Sequence, residues 1–141
     1  MNSVNKEPLI QDVLIEESLK ARKNAYCPYS NFAVGAALLG KSGKIYTGCN
    51  VENGAYSATI CAERNALCKA ISEGEREFVK IAVVGAMCGE EPKEMCFPCG
   101  ICRQSLYEFC ATDFEVILFD GKNIEKYRLG ELLFEGFKLN K

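Results

Sequence analysis

The sequence predicts an α/β fold. Strand-compatible apolar runs alternate with segments of helical period along most of the chain, an order that layers helices on a sheet. The 141 residues suit one domain, 1–141, with a single core, and a 48% hydrophobic and 26% charged composition is that of an ordinary globular protein. No internal repeat, low-complexity tract or linker interrupts this pattern.

The elements follow in order. Leu9, Ile10, Val13, Leu14, Ala21 and Ala25 recur at roughly helical spacing, with Glu16, Glu17, Lys20 and Lys23 on the other side, so the first segment is an amphipathic helix. Cys27-Pro28 ends it, because proline disfavours helical backbone in the residue before it. Phe32–Leu39 and Lys44–Cys49 are β-compatible runs joined by Gly40-Lys41-Ser42-Gly43, a connection of hairpin length. Asn50–Thr59 is polar, contains Gly54, and reads as a loop. It leads into a helix over Cys61–Glu73 with Gly74 as its stop. Lys80–Met87 reads as an apolar strand, Gly100–Cys110 as a short helix and Phe114–Phe119 as a further strand. Leu129–Phe137 forms a last helix or an aromatic tail.

Composition narrows the function. No stretch approaches the roughly 18 uninterrupted apolar residues of a membrane helix. Met1–Pro8 is too polar for a secretory signal, so a cytoplasmic protein with reduced thiols is expected. A formal charge of -2, with lysines scattered singly, provides no basic stripe for a phosphate backbone. Neither a nucleic-acid partner nor a membrane is expected, and a small neutral substrate is favoured.

The chemistry concentrates at the cysteines. Cys61-Ala62-Glu63 is followed downstream by Pro98-Cys99-Gly100-Ile101-Cys102, in a chain with nine cysteines and no histidine. Cys61, Cys99 and Cys102 on one zinc leave a fourth position open to water, the arrangement of a catalytic rather than a closed site. Glu63, two residues from a ligand, is the natural proton carrier where histidine is lacking. Both segments open predicted helices, whose unpaired N–H groups and positive dipole end favour thiolates.

Divalent zinc with three thiolates carries one net negative charge and is a weak Lewis acid unless that charge is offset. Arg64 and Arg103 each follow closely on a ligand, and Arg64 is the favoured partner for a ligand sulfur. Cys61 and Glu63 would point to different sides of a regular helix. Their convergence therefore places the metal off its N-terminal end.

Other readings stay open from the residues alone. Cys96-x-x-Cys99-x-x-Cys102 resembles part of an iron–sulfur run, and Cys61 with these three could close a structural zinc site. Against the former, Leu106 stands where the next cysteine belongs and Pro98 precedes the central one. Cys27, Cys49, Cys68, Cys88 and Cys110 join no ligand pattern and read as inert, buried or half-buried thiols.

The ligand-x-Glu and Pro-Cys-x-x-Cys segments have the pattern of zinc deaminases. Together with Ala25-Tyr26-Cys27-Pro28-Tyr29-Ser30-Asn31-Phe32, Cys49-Asn50-Val51-Glu52-Asn53, Arg103-Gln104 and Phe137, they make nearly the whole chain resemble the small homotetrameric, zinc-dependent cytidine deaminases. The resemblance implies a three-layer α-β-α fold with a mixed five-stranded sheet, one zinc per subunit on Cys61, Cys99 and Cys102, and Glu63 as proton shuttle. It implies that Phe32 packs near the base, Asn50 and Glu52 hold the ribose, and the Ala62 backbone reads the pyrimidine. Tyr56 and Phe137 would reach a neighbouring subunit's site. Gly54, Ala55 and Phe97 depart from the family's usual residues.

The implied activity is hydrolytic deamination of cytidine and 2′-deoxycytidine to the uridines, in pyrimidine salvage. Glu52 at the sugar would repel an attached phosphate, which favours nucleosides over nucleotides. The alternatives are a deaminase of another cytosine nucleoside, such as a nucleoside antibiotic, and a noncatalytic zinc-binding module.

Overall fold

The computed structural model describes residues 9–140; the polar Met1–Pro8 segment, read above as no export signal, lies outside them. Helix α1 spans Ile10–Arg22, β1 Phe32–Gly40 and β2 Ile45–Cys49. A 3-10 turn at Tyr56–Ala58 precedes α2 (Ala62–Ser72), β3 (Phe78–Met87) and α3 (Gly100–Tyr107). β4 (Glu115–Phe119), β5 (Ile124–Arg128) and the short α4 (Leu129–Leu132) complete the chain.

The five strands form one sheet in the order β2-β1-β3-β4-β5. β3 and β4 are parallel, and every other pair is antiparallel, so the sheet is mixed. Successive side chains on a strand face opposite ways, and the core divides accordingly. Ala36, Leu38, Ile81, Val83, Val116 and Leu118 face α2, α3 and α4, packing with Ala66, Leu67, Leu106 and Leu129. Their neighbours Ala37, Ala82 and Ile117 face α1, packing with Leu14 and Ile15. The result is the three-layer α-β-α sandwich. Full burial of a leucine, isoleucine or valine side chain contributes about 1.5–3 kcal/mol, so these two interlayer clusters dominate the stability.

Helix packing against the sheet is close enough to require glycine at two places. A Cβ on Gly35 would lie 2.0 Å from Ser18 O in α1, and one on Gly48 would lie 2.4 Å from Ala62 O in α2. The Gly48 contact sets the depth of the α2 N-terminus, the end that carries Cys61 and Glu63.

Several sequence expectations need correction, among them the ends of α1 at Arg22 rather than near Ala25 and of α3 at Tyr107 rather than Cys110. β5 was not among the predicted strands; its residues Ile-Glu-Lys-Tyr-Arg are almost all exposed, and its pairing with β4 rests on backbone bonds rather than an apolar stripe. The Leu129–Phe137 segment joins both readings, helical to Leu132 and then an exposed tail carrying Phe134 and Phe137. Cys68 and Cys88 are exposed, not buried or half-buried.

Candidate active site

Two helix N-termini meet at the cysteines. Cys61 is the N-cap residue of α2, Cys99 is the N-cap residue of α3, and Cys102 lies one turn into α3 and is fully buried. The Cys61 and Cys99 sulfurs are 3.6 Å apart, as are those of Cys99 and Cys102, and all three lie within 4.8 Å of one another. A tetrahedral zinc with bonds of about 2.3 Å sets its sulfurs about 3.8 Å apart, so the cluster fits the ion. Cys96 is outside this group, which argues against a four-cysteine closure.

The electrostatics favour charge at Cys61. Its thiol is pushed down to about 5 by a hydrogen bond with Cys102, then by hydrogen bonds with Arg64 and Cys99, against the opposing effect of burial. The Cys102 thiol is pushed up by the same Cys61 hydrogen bond and by burial. Arg64 Nη2 donates to Cys61 Sγ at 3.7 Å and to Thr59 O at 3.3 Å. Arg103 is placed otherwise: its Nε and Nη1 donate to Pro98 O and Leu132 O, each at 2.6 Å.

Glu63 occupies the first turn of α2 and is only 4% exposed. Burial raises its carboxyl to about 7, with the charge at Cys61 adding to the rise and bonds from its own backbone and Cys102 opposing it. A carboxyl balanced near neutrality can both take and give a proton, which is what acid–base catalysis requires. Ala62, between Cys61 and Glu63, is fully buried.

Residues expected around a substrate occupy the neighbouring loops. Asn50 Nδ2 donates to Phe32 O at 2.8 Å and Asn50 Oδ1 accepts from Val34 N at 2.9 Å, which among the described residues leaves one amide hydrogen without a partner. The Glu52 carboxylate accepts from Tyr29 N at 2.9 Å, Ser30 N at 3.1 Å and the Ser30 hydroxyl. These bonds, led by the Ser30 hydroxyl, hold its carboxyl below the usual range.

Phe32 lines a cavity with Gly85, Met87, Met95 and Cys96, whereas Glu52 and Tyr56 line a separate open depression with Tyr29, Ser30 and Thr59. Tyr56 is 75% exposed and stands edge-on to Tyr29; Phe137 is 64% exposed, its backbone held by Gln104 on α3. The thiols, Glu63 and Arg64 therefore come together in one centre, while Tyr56 and Phe137 face outward from the chain. Ser30, Asn65 and Gln104 were not singled out from the sequence as positioning residues. Asn65 Nδ2 donates to Cys49 O at 2.7 Å and ties α2 to β2. Small polar side chains in loops and on helix faces carry no such signal until their partners are known.

A cluster of three thiols and a buried carboxylate at paired helix ends is the centre of a zinc-dependent hydrolase. The pattern of the "Cytidine and deoxycytidylate deaminase zinc-binding region" matches residues 10–118. A cytidine deaminase of Sporosarcina psychrophila is 52% identical over 121 residues, 85% of each chain. One of Halalkalibacterium halodurans is 47% identical over 124 residues, covering 87% of this chain and 90% of that one. The crystal structure of cytidine deaminase from Burkholderia pseudomallei superposes with a TM-score of 0.81 at 43% identity, covering 89% of this chain and 98% of that one. The chain belongs to the cytidine and deoxycytidylate deaminase family.

Proposed function

We propose that this chain hydrolyses the exocyclic amine of cytidine and 2′-deoxycytidine, producing uridine or 2′-deoxyuridine and ammonia. The observation that carries this reading is the buried Glu63 beside the Cys61, Cys99 and Cys102 cluster. It is supported by the matched family and by cytidine deaminases at 52% and 47% identity over most of the chain.

Cys61, Cys99 and Cys102 would hold one zinc, which when bound supplies Lewis acidity toward a water in the remaining coordination position. The Glu63 carboxylate takes the proton released as that water is activated. It delivers that proton to N3 of the pyrimidine, takes a second from the hydroxyl now bonded to C4, and hands it to the amine as the C4–N bond breaks and the C4 carbonyl forms, ending ready for the next cycle. Burial keeps Glu63 from losing its proton to bulk solvent between these transfers. Arg64 offsets the negative charge of the thiolates from the Cys61 side.

In the same reading, Phe32 packs against the base, the Ala62 backbone N–H reads the pyrimidine, and Asn50 and Glu52 hold the ribose. The carboxylate at Glu52 disfavours a phosphate on the sugar. Tyr56 and Phe137 complete the site of a neighbouring subunit in a homotetramer, which accounts for their exposure in the single chain. The protein acts as one domain in the cytoplasm; among the described residues no helix is long and apolar enough to cross a membrane.

Incubating purified protein with cytidine and following the ultraviolet change as the amine is lost tests the activity. Zinc-loaded protein that leaves cytidine unchanged overturns it.

A further inference from the structure

A second pair of sulfurs lies apart from the metal ligands. Cys27, in the turn after α1, has its Sγ 3.2 Å from Sγ of Cys88, just past the end of β3. Apart from the metal cluster, this is the sulfur pair that hydrogen-bonds among the described residues. Access to the two differs: Cys27 is 6% exposed, whereas Cys88 is open to solvent. The backbone already braces them together. Asn31 N donates to Cys27 O at 2.9 Å, Cys88 N donates to Asn31 O at 2.8 Å, and Asn31 holds a left-handed φ of 59° between them. The sulfurs need to approach by only about 1.2 Å to reach the ~2.05 Å of a disulfide.

We propose that Cys27 and Cys88 form a hydroperoxide-responsive dithiol, in which exposed Cys88 is oxidised first and buried Cys27 closes a disulfide onto it. In the first step Cys88 Sγ, as thiolate, attacks one oxygen of hydrogen peroxide. An S–O bond forms, the O–O bond breaks, and the departing hydroxide takes up the thiol's proton to leave as water. Sulfur has then lost two electrons to the peroxide. In the second step Cys27 Sγ attacks Cys88 Sγ; the S–S bond forms, the S–O bond breaks, and the hydroxyl leaves with the Cys27 proton as a second water. Burial, then the hydrogen bond to Cys88, pushes the Cys27 thiol up to about 11, which agrees with initial oxidation at the exposed partner.

The disulfide would act on the turn that holds Glu52. Tyr29 N and Ser30 N, donors to that carboxylate, lie between Cys27 and Asn31. Drawing Cys27 toward Cys88 shifts these donors and weakens nucleoside binding. This consequence rests on the proposed role of Glu52, whereas the disulfide itself does not.

The test treats zinc-loaded full-length protein with stoichiometric hydrogen peroxide, then alkylates and digests it without reductant. Expected is one crosslinked peptide pair containing Cys27 and Cys88, reversed by dithiothreitol, with zinc retained and a cytidine KM that rises and recovers on reduction. Cys27→Ser should instead accumulate a Cys88 sulfenic acid trapped by dimedone, and Cys88→Ser should leave Cys27 uncrosslinked and KM insensitive to peroxide. Full alkylation of Cys27 in treated wild-type protein overturns the proposal. So does a crosslink within Cys61, Cys99 and Cys102 that forms first with zinc release. A mapped Cys27–Cys88 crosslink with unchanged KM overturns the coupling to Glu52. Untreated zinc protein that never deaminates cytidine refutes the proposed activity while leaving the crosslink standing.

Discussion

Arg64 Nη2 reaches Cys61 Sγ at 3.7 Å while Arg64 Nε is buried without a hydrogen-bond partner among the described residues, so the guanidinium is oriented by the ligand sulfur and by Thr59 O. A bond from a cation to a metal-ligating thiolate withdraws charge, and loss of such a partner typically costs 10–100-fold in metal affinity or activity. Arg64→Gln should therefore fold normally and lose roughly that factor in turnover or zinc retention. Zinc content and kcat on one preparation check this. Unchanged values would assign charge compensation to the helix ends alone.

The ligand set gives the next expectation. Cys99→Ser should lose most of its zinc, since Cys99 lies 3.6 Å from both other sulfurs. Cys96→Ser should retain it, because Cys96 is outside the cluster and its half-buried thiol, pushed up to about 12 by desolvation, is an inert one. Elemental analysis separates the two. Zinc loss from the Cys96 variant would restore the four-cysteine alternative.

Gly48 offers a test of how the fold sets the site. An added Cβ would meet Ala62 O at 2.4 Å and Ala66 N at 2.5 Å, both backbone atoms that cannot turn aside. Gly48→Ala should destabilise the protein by about 1–3 kcal/mol, as overpacking of a tight interface does. Because α2 must move to relieve the contact, zinc affinity should fall with stability. Denaturant titration and a competitive chelator assay on the same variant measure both. Loss of stability with intact zinc affinity would place the relief in β2.

How much of this was legible in the sequence depended on the kind of signal. The hairpin of β1 and β2 was, because Gly40 and Gly43 punctuate two apolar runs. So were the central layers, since Leu38, Ile81 and Leu118 sit in runs too apolar to face water. The α1 helix ends at Arg22, before the predicted Ala25, because the chain turns where Ala25 N bonds Arg22 O ahead of Cys27-Pro28. β5 escaped because an exposed edge strand needs only backbone partners. At the site, Cys61, Glu63, Cys99 and Cys102 were legible from spacing. The Cys27–Cys88 contact was not: its partners stand 61 positions apart and only the sheet brings them together.

The exposed C-terminal aromatics bear on assembly. Phe134, Phe137 and Leu139 are largely exposed, although Gln104 fixes the Phe137 backbone at 2.8 Å. Removing residues 137–141 should raise KM or lower kcat for cytidine without releasing zinc, since no ligand lies in that segment. Sedimentation, zinc content and kinetics together make the test. A monomeric form as active as the proposed tetramer would exclude shared sites.

Replacement of Glu63 by glutamine is the sharpest probe of the chemistry. The amide keeps the volume of a side chain that is only 4% exposed, and it carries no charge into that buried position. Fold, zinc content and cytidine binding should therefore survive. What glutamine lacks is the capacity to accept the water proton and hand protons to N3 and the leaving amine. General acid–base catalysis by one group is typically worth ~10²–10⁴ in rate, and a carboxylate serving successive transfers should lie at or above the upper end. The loss should fall on kcat rather than KM and persist across the pH range, since the chain has no histidine to take over. Zinc content, cytidine affinity and turnover measured on one preparation decide it. Near wild-type turnover in Glu63→Gln would remove this carboxylate from the mechanism.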